Sequence, residues 1–111
     1  MTDYSKKECS NSISYTLSLI GSKWNWIILG ILYENGIQRY GQIKKRIPDI
    51  THKMLSQQLK ELESTSLINR KEYPQIPPKV EYSLTEKGKT LIPILKLMGE
   101  WGFKNKPSSI D

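Results

Sequence analysis

The sequence predicts a mainly α-helical fold with one small β-hairpin, in the order α-α-α-α-β-β-α. Two patterns indicate it. Apolar residues recur at helical spacing on both sides of residues 68–84. Over residues 79–84, apolar and polar residues alternate as they do in a strand that is buried on one face. The connection inside residues 68–84 contains three prolines, which predicts a stiff hairpin tip: Pro74, Pro77 and Pro78.

The chain has 111 residues, and we expect a single domain with one modest core, preceded by a polar N-terminal arm over residues 1–11. That start is too polar for a signal peptide. The longest apolar run, roughly 24–33, is well short of the ~20 apolar residues that span a bilayer. Cys9 is the one cysteine, so no internal disulfide can form. These features predict a cytoplasmic protein without a membrane partner.

The net charge of +6 is concentrated in the middle of the chain. Residues 39–89 contain eleven Lys and Arg and six acids, so five of the six net charges lie there. An excess of this kind favours an anionic partner such as nucleic acid.

The first two helices are predicted from apolar spacing and from a glycine stop. The first covers roughly 12–20, where Ile13 and Leu17 share one face, and Gly21 ends it. The second runs from about 23 to 33. It is apolar nearly all round, which predicts a central place in the core.

The third helix is short, roughly 41–47, and its apolar side carries Tyr40, Ile43 and Ile47. Pro48 stops it, because the residue before a proline is disfavoured in helical conformation.

The fourth helix is "THKMLSQQLKELES", with Thr51 as its N-cap. Its buried stripe is predicted to contain Leu55, Leu59 and Leu62. The opposite face is polar and basic: Lys53, Ser56, Gln57 and Lys60. The third and fourth helices together form a helix-turn-helix over 41–64.

Strands over 68–73 and 79–84 make a hairpin, and the last helix then runs over 86–103. Thr85 is its predicted cap. Pro93 lies inside this helix and implies a kink or a late start.

Helices followed by a two-stranded hairpin are typical of a winged helix-turn-helix domain, whose fourth helix here would enter the major groove of DNA. Nine candidate contacts follow, on the fourth helix and on the wing: Thr51, His52, Lys53, Ser56, Gln57, Lys60, Arg70, Lys71 and Lys79. Two alternatives stay open. A polar face with two lysines is also typical of a solvated helix, and a proline-rich tip can be only a tip.

Three stretches together resemble the HxlR-type family of bacterial winged helix-turn-helix regulators, part of the wider MarR-like group: "YTLSLIGSKWNWIIL", "KMLSQQLKELESTSLI" and "YPQIPPKVEYSLTEKG". The resemblance runs from about Ile13 to Gly102. It implies a homodimer on a pseudo-palindromic operator, which regulates transcription, with repression as the simpler mode. By position it also implies DNA contacts for Arg39, just before the third helix, and for Lys79 on the wing.

The resemblance further implies a dimer interface built from the first and last helices, 12–20 and 86–103. The candidate interface residues are Ile13, Leu17, Ile94, Leu95, Met98 and Trp101. The same residues could instead form the core of one protomer. An effector crevice is expected between the first, second and last helices, lined by Tyr15, Trp24, Trp26 and Trp101, unless these aromatic residues are simply packed core.

Some HxlR-type proteins sense oxidants or electrophiles with a Cys-Pro pair just ahead of the first helix. Here Asn11 and Ser12 stand in place of that pair, and Cys9 lies nearby. Cys9 is therefore a candidate redox sensor or an idle surface thiol.

Other classes of function have little support. The chain has one histidine, no Cys/His cluster and no glycine-rich phosphate loop, so we predict no enzyme, no catalytic residue, no metal and no cofactor. The alternative function is a winged-helix module that binds protein or RNA. RNA recognition usually exposes aromatic residues for stacking. Here most of them follow apolar periods, with Tyr73 the exception, which favours DNA.

Overall fold

The computed structural model describes residues 5–108 and confirms the mainly helical fold with a small antiparallel sheet. The sheet has the strand order β1-β3-β2. The elements are α1 (Lys6–Ile20), α2 (Asn25–Asn35), β1 (Gln38–Arg39), α3 (Tyr40–Arg46), α4 (His52–Ser64), β2 (Ile68–Tyr73), β3 (Lys79–Leu84), α5 (Glu86–Lys89) and α6 (Ile92–Asn105).

The wing strands have the bounds that the sequence predicted. β2 and β3 pair from Ile68 opposite Leu84 to Tyr73 opposite Lys79. The additional strand β1 pairs with the other edge of β3. A two-residue strand is too short to show alternation, so its sequence carries no strand signal.

The first helix begins at Lys6, so the predicted polar arm over 1–11 is corrected. The side chain of Ser5 caps this helix by accepting a hydrogen bond from Glu8 N at 3.1 Å. The added turns are polar and show no apolar period, which is why their sequence suggested an arm. Residues 1–4 lie outside the described residues. The helix ends at the predicted Gly21, whose N–H donates to Leu17 O.

The predicted last helix over 86–103 is two helices, α5 and α6. Pro93 lies in the first turn of α6, where its missing N–H would have no partner in any case. The late start is therefore the correct interpretation of this proline. Thr85 caps α5 as predicted, accepting from Gly88 N at 2.9 Å.

The core lies between α2, α3, α4 and the sheet. The predicted stripe of α4 is fully inside it, since Leu55, Leu59 and Leu62 are at most 2% exposed. The helix α2 is central, but Trp26 and Tyr33 remain 48% and 46% exposed, so it is not buried all round. Among the described helices, none is long and apolar enough to cross a membrane.

A buried amide joins α4 to the first two helices. Asn25, at the start of α2, is 1% exposed, and its Nδ2 donates to Leu19 O and to Glu61 Oε1, both at 3.0 Å. It therefore connects the end of α1 to α4.

Gly88 lets α5 approach the start of the wing closely. A Cβ at this position would overlap Leu67 O and lie 3.2 Å from Leu67 C. The same carbonyl accepts a hydrogen bond from Thr85 N at 3.1 Å, so the backbone there has little room to move.

Candidate nucleic-acid interface

The solvent face of α4 brings together most of the predicted contact residues. Thr51 caps the helix, its Oγ1 accepting from Met54 N at 3.0 Å. The leucine stripe fixes which side of the helix is buried, and five predicted side chains are exposed on the remaining surface: His52, Lys53, Ser56, Gln57 and Lys60. Glu61 and Glu63, nearer the C-terminal end, are also exposed.

Tyr40 at the start of α3 joins this surface, although the sequence assigned it to an apolar side. Its hydroxyl donates to His52 O at 3.1 Å and lies 3.0 Å from His52 Nδ1 and 3.4 Å from Ser56 Oγ. The two rings are stacked, with centroids 5.8 Å apart and an interplanar angle of 11°. Tyr40 is half-buried and packs against the core. Its apolar spacing therefore predicted the position of the ring correctly but did not predict the polar contacts of the hydroxyl.

A crevice of about 330 Å³ lies between α4 and the sheet, lined by Tyr40, Ser56, Leu59, Lys60, Glu63, Arg70 and Tyr82. It places Arg70 beside the surface of α4. The hydroxyl of Tyr82 and then the carboxylate of Glu72 raise the pKa of Arg70 above its ordinary value, and Arg70 Nη1 donates to Glu72 Oε1 at 3.1 Å. Arg70 therefore lies beside α4 with Glu72 as its counterion.

The other basic wing residues lie on the opposite face of the sheet. Arg39 is the pairing partner of Glu81, which in turn pairs with Lys71. Side chains of paired residues share a face, and neighbours along a strand alternate. Tyr82 is buried on the core face, so Arg39 and Lys71 point away from that face and are not continuous with Arg70.

The base of the wing tip is braced by Tyr73. The Nζ atoms of Lys71 and Lys79 lie 5.0 and 4.7 Å from the centroid of its ring. Its hydroxyl donates to Glu81 Oε1 at 2.8 Å, which lowers the pKa of Glu81, and the nearby Lys79 lowers it further. The Nζ of Lys79 also lies 3.4 Å from Glu81 Oε2. Both lysines therefore extend from an ordered base.

A second exposed surface is apolar and lies on α1 and α6. Five of the six predicted interface residues are between 42% and 70% exposed: Ile13, Leu17, Ile94, Met98 and Trp101. They are therefore not buried in the core of the single chain. The sixth, Leu95, is half-buried and packs against the core. A groove of about 320 Å³ separates α1 from α6.

Of the four cavities found within residues 5–108, none is lined by more than one of the four predicted crevice aromatics, and Trp101 is exposed. Trp26 lines a cavity of about 230 Å³ with Leu95 and Met98. Trp24 is half-buried against the core, whereas the hydroxyl of Tyr15 accepts a hydrogen bond from Lys87 Nζ at 3.3 Å.

Cys9 is half-buried within α1 and does not precede the first helix. Within residues 5–108, no three His, Cys, Asp or Glu side chains are grouped as a metal site would require.

Comparison with known proteins relates the chain to regulators. A family model described as HxlR-like helix-turn-helix matches residues 19–109. MalR of Fusobacterium mortiferum, whose name gives it a regulatory role, is 59% identical over 100 residues, covering 90% of this chain and 94% of MalR.

Two solved structures extend the comparison. The redox regulator HypR in its oxidised form has a TM-score of 0.77 and 44% identity, covering 86% of this chain and 98% of HypR. The reduced transcriptional regulator YodB of Bacillus subtilis has a TM-score of 0.76 and 36% identity, covering 96% of each chain. All three relatives are named as regulators, and none of the three as an enzyme.

Proposed function

Because the chain belongs to the HxlR-like helix-turn-helix family of transcriptional regulators, we propose that it binds duplex DNA sequence-specifically as a homodimer. Its target is a pseudo-palindromic operator, and occupancy of that operator represses transcription. The protein acts in the cytoplasm, where the chromosome is, and has no catalytic role.

The observation that carries this proposal is the exposed face of α4. Over residues 52–60 it presents two lysines and two residues with neutral polar side chains, and it contains no acid. Lys53 and Lys60 suit phosphate or guanine, whereas Ser56 and Gln57 suit base edges. Arg70, paired with Glu72, adds a guanidinium on the wing side of the crevice.

The exposed apolar surface of α1 and α6 supports the homodimer. Ile94, Met98 and Trp101 recur at helical spacing on α6 and face solvent in one protomer. Contiguous apolar surface of this kind marks an interaction site. A two-fold dimer would place two α4 helices about 34 Å apart, one turn of DNA.

An oxidant is the effector class that the comparisons favour, because HypR is named a redox regulator. Cys9 is the single thiol that could respond. Any disulfide it formed would join two chains or a chain and a small thiol.

Selection from sheared genomic DNA of the source organism tests the proposal. The purified protein is incubated with the fragments at about 150 mM salt, which weakens purely electrostatic binding, and the retained DNA is sequenced. We expect one enriched pseudo-palindrome with half-sites about a turn apart. If the protein retains no duplex DNA, with or without oxidant, but retains RNA or another protein, it is the alternative winged-helix module.

Variants of α4 should separate base reading from phosphate binding. Gln57→Ala is expected to lose about 1–3 kcal/mol of discrimination at one base pair of the half-site, whereas Lys53→Ala weakens binding to all sequences alike if Lys53 contacts phosphate. Titration of the selected operator and its single-base variants with each protein measures both effects. Ser64→Ala, on the same face but at the far end of α4, is the matched control. Equal effects of all three variants would contradict the proposed docking.

A further inference from the structure

We propose that the hydroxyl of Tyr40 fixes the tautomer of His52 and the orientation of the Ser56 hydroxyl, so that both side chains present hydrogen-bond acceptors to DNA. The base that fits such a pair carries an amino group, so the operator has adenine or cytosine on the contacted strand at this position. The inference rests on the proposed duplex binding, and it makes Tyr40 a positioning residue for specificity.

The hydroxyl of Tyr40 has one hydrogen and two lone pairs, and it has three partners. One partner, the carbonyl oxygen of His52 at 3.1 Å, can only accept. The hydrogen of Tyr40 therefore points there, because two oxygens at this distance would repel each other without a hydrogen between them.

The two lone pairs of Tyr40 then accept from the other two partners. His52 Nδ1, at 3.0 Å, must carry a hydrogen in order to donate. The hydroxyl of Ser56, at 3.4 Å, donates in the same way through a longer contact. This assignment satisfies all three contacts, whereas an unprotonated Nδ1 would make two acceptors compete for a single hydrogen.

The consequence appears on the side that faces solvent. In a neutral imidazole with its hydrogen on Nδ1, Nε2 is an acceptor, and the His52 side chain is exposed. The hydrogen of Ser56 is turned toward Tyr40, so the free lone pairs of Oγ are acceptors too. His52 and Ser56 are four residues apart and lie on one face of α4.

Base edges in the major groove differ in what they offer to two acceptors. Cytosine presents the N4 donor and adenine presents the N6 donor beside its N7 acceptor, whereas guanine O6 and N7 and thymine O4 are acceptors. A surface that only accepts therefore selects adenine or cytosine on the strand that it faces and is opposed by guanine or thymine.

The variant Tyr40→Phe removes the hydroxyl and keeps the stacked ring. The stacking of Tyr40 on His52 and its packing against the core are made by ring atoms, so the fold should persist. Tyr33→Phe is the matched control, because its hydroxyl contacts Lys96 on α6.

The tautomer is measured directly, because His52 is the single histidine of the chain. Long-range ¹H–¹⁵N correlation spectra of the free protein at pH 8.5 show one imidazole, whose nitrogen shifts identify the protonated atom. We expect hydrogen on Nδ1 in the wild type and in Tyr33→Phe, and a shift toward Nε2–H in Tyr40→Phe. Hydrogen on Nε2 in the wild type would overturn the inference.

The base preference is measured by selection from a library of randomised half-sites at the same pH. We expect the wild type and Tyr33→Phe to prefer adenine or cytosine at one position by about tenfold. Tyr40→Phe should lose that preference and keep the rest of the site. If Tyr40→Phe keeps the preference, or if the wild type has none while still selecting an operator, the inference is wrong and duplex binding stands. If no duplex is selected by any protein, the proposed function fails and the inference with it.

Discussion

Replacing Trp101 with glutamate is expected to dissociate the proposed dimer and to weaken operator binding by about 100-fold or more. Two linked half-sites gain roughly 10²–10⁴ in affinity over one, and a monomer loses that gain. Trp101 is 70% exposed in one protomer, so its replacement removes no core contact. In a dimer the new carboxylate would be buried without a partner, which is strongly unfavourable.

Sedimentation velocity and operator titration measure the two effects, and circular dichroism confirms that the monomer is folded. Lys96→Glu is the control, because it places the same carboxylate on another side of α6, where Lys96 Nζ donates to the exposed Tyr33 hydroxyl at 3.3 Å and lies 4.9 Å from the centroid of its ring. A Trp101→Glu protein that remains dimeric and binds its operator normally would show that α6 is not the interface.

Gly88→Ala is expected to destabilise the fold by about 3 kcal/mol, within the range for forced overpacking. The added Cβ meets the backbone of Leu67 and not the end of a flexible side chain. To relieve this overlap, either α5 or Leu67 has to move. Since whole domains are stable by only about 5–15 kcal/mol, the loss is large. Urea unfolding followed by circular dichroism measures it.

Gly30→Ala makes the same chemical change in α2, where the added Cβ has nothing within 4 Å beyond its chain neighbours and the adjacent backbone of its own helix. There we expect no loss and a gain of up to about 1 kcal/mol from helix propensity. Similar unfolding curves for both variants would mean that the contact of Gly88 with Leu67 carries no strain.

The sequence predicted the elements that have a repeating apolar pattern and missed the elements that have none. The strand β3 and the buried stripe of α4 were found because each extends over several periods of its pattern. The strand β1 was missed because two residues form no period. The first turns of α1 were missed because their polar residues have no apolar face, although Ser5 caps them.

The candidate site was predicted in part, for a related reason. The face of α4 follows from helical spacing, and the structure exposes it as expected. The contact of Tyr40 with His52 joins two helices and has no local signal, because it depends on how α3 crosses α4. Arg39 and Lys71 lie on the opposite face of the sheet from Arg70. This separation depends on strand register, which individual residue types do not reveal. Whether these side chains contact DNA stays a prediction.

Glu72 and Glu81 on the wing reduce the number of counterions that DNA binding would release. Six basic residues are candidate phosphate contacts: Arg39, Lys53, Lys60, Arg70, Lys71 and Lys79. Two of them already have an internal counterion, since Arg70 is paired with Glu72 and Lys79 with Glu81. Contacts by six free charges would give a salt slope of about −5.4 per protomer, and contacts by four would give about −3.6. We expect the smaller slope, so binding would tolerate rising intracellular potassium better than the number of basic residues suggests.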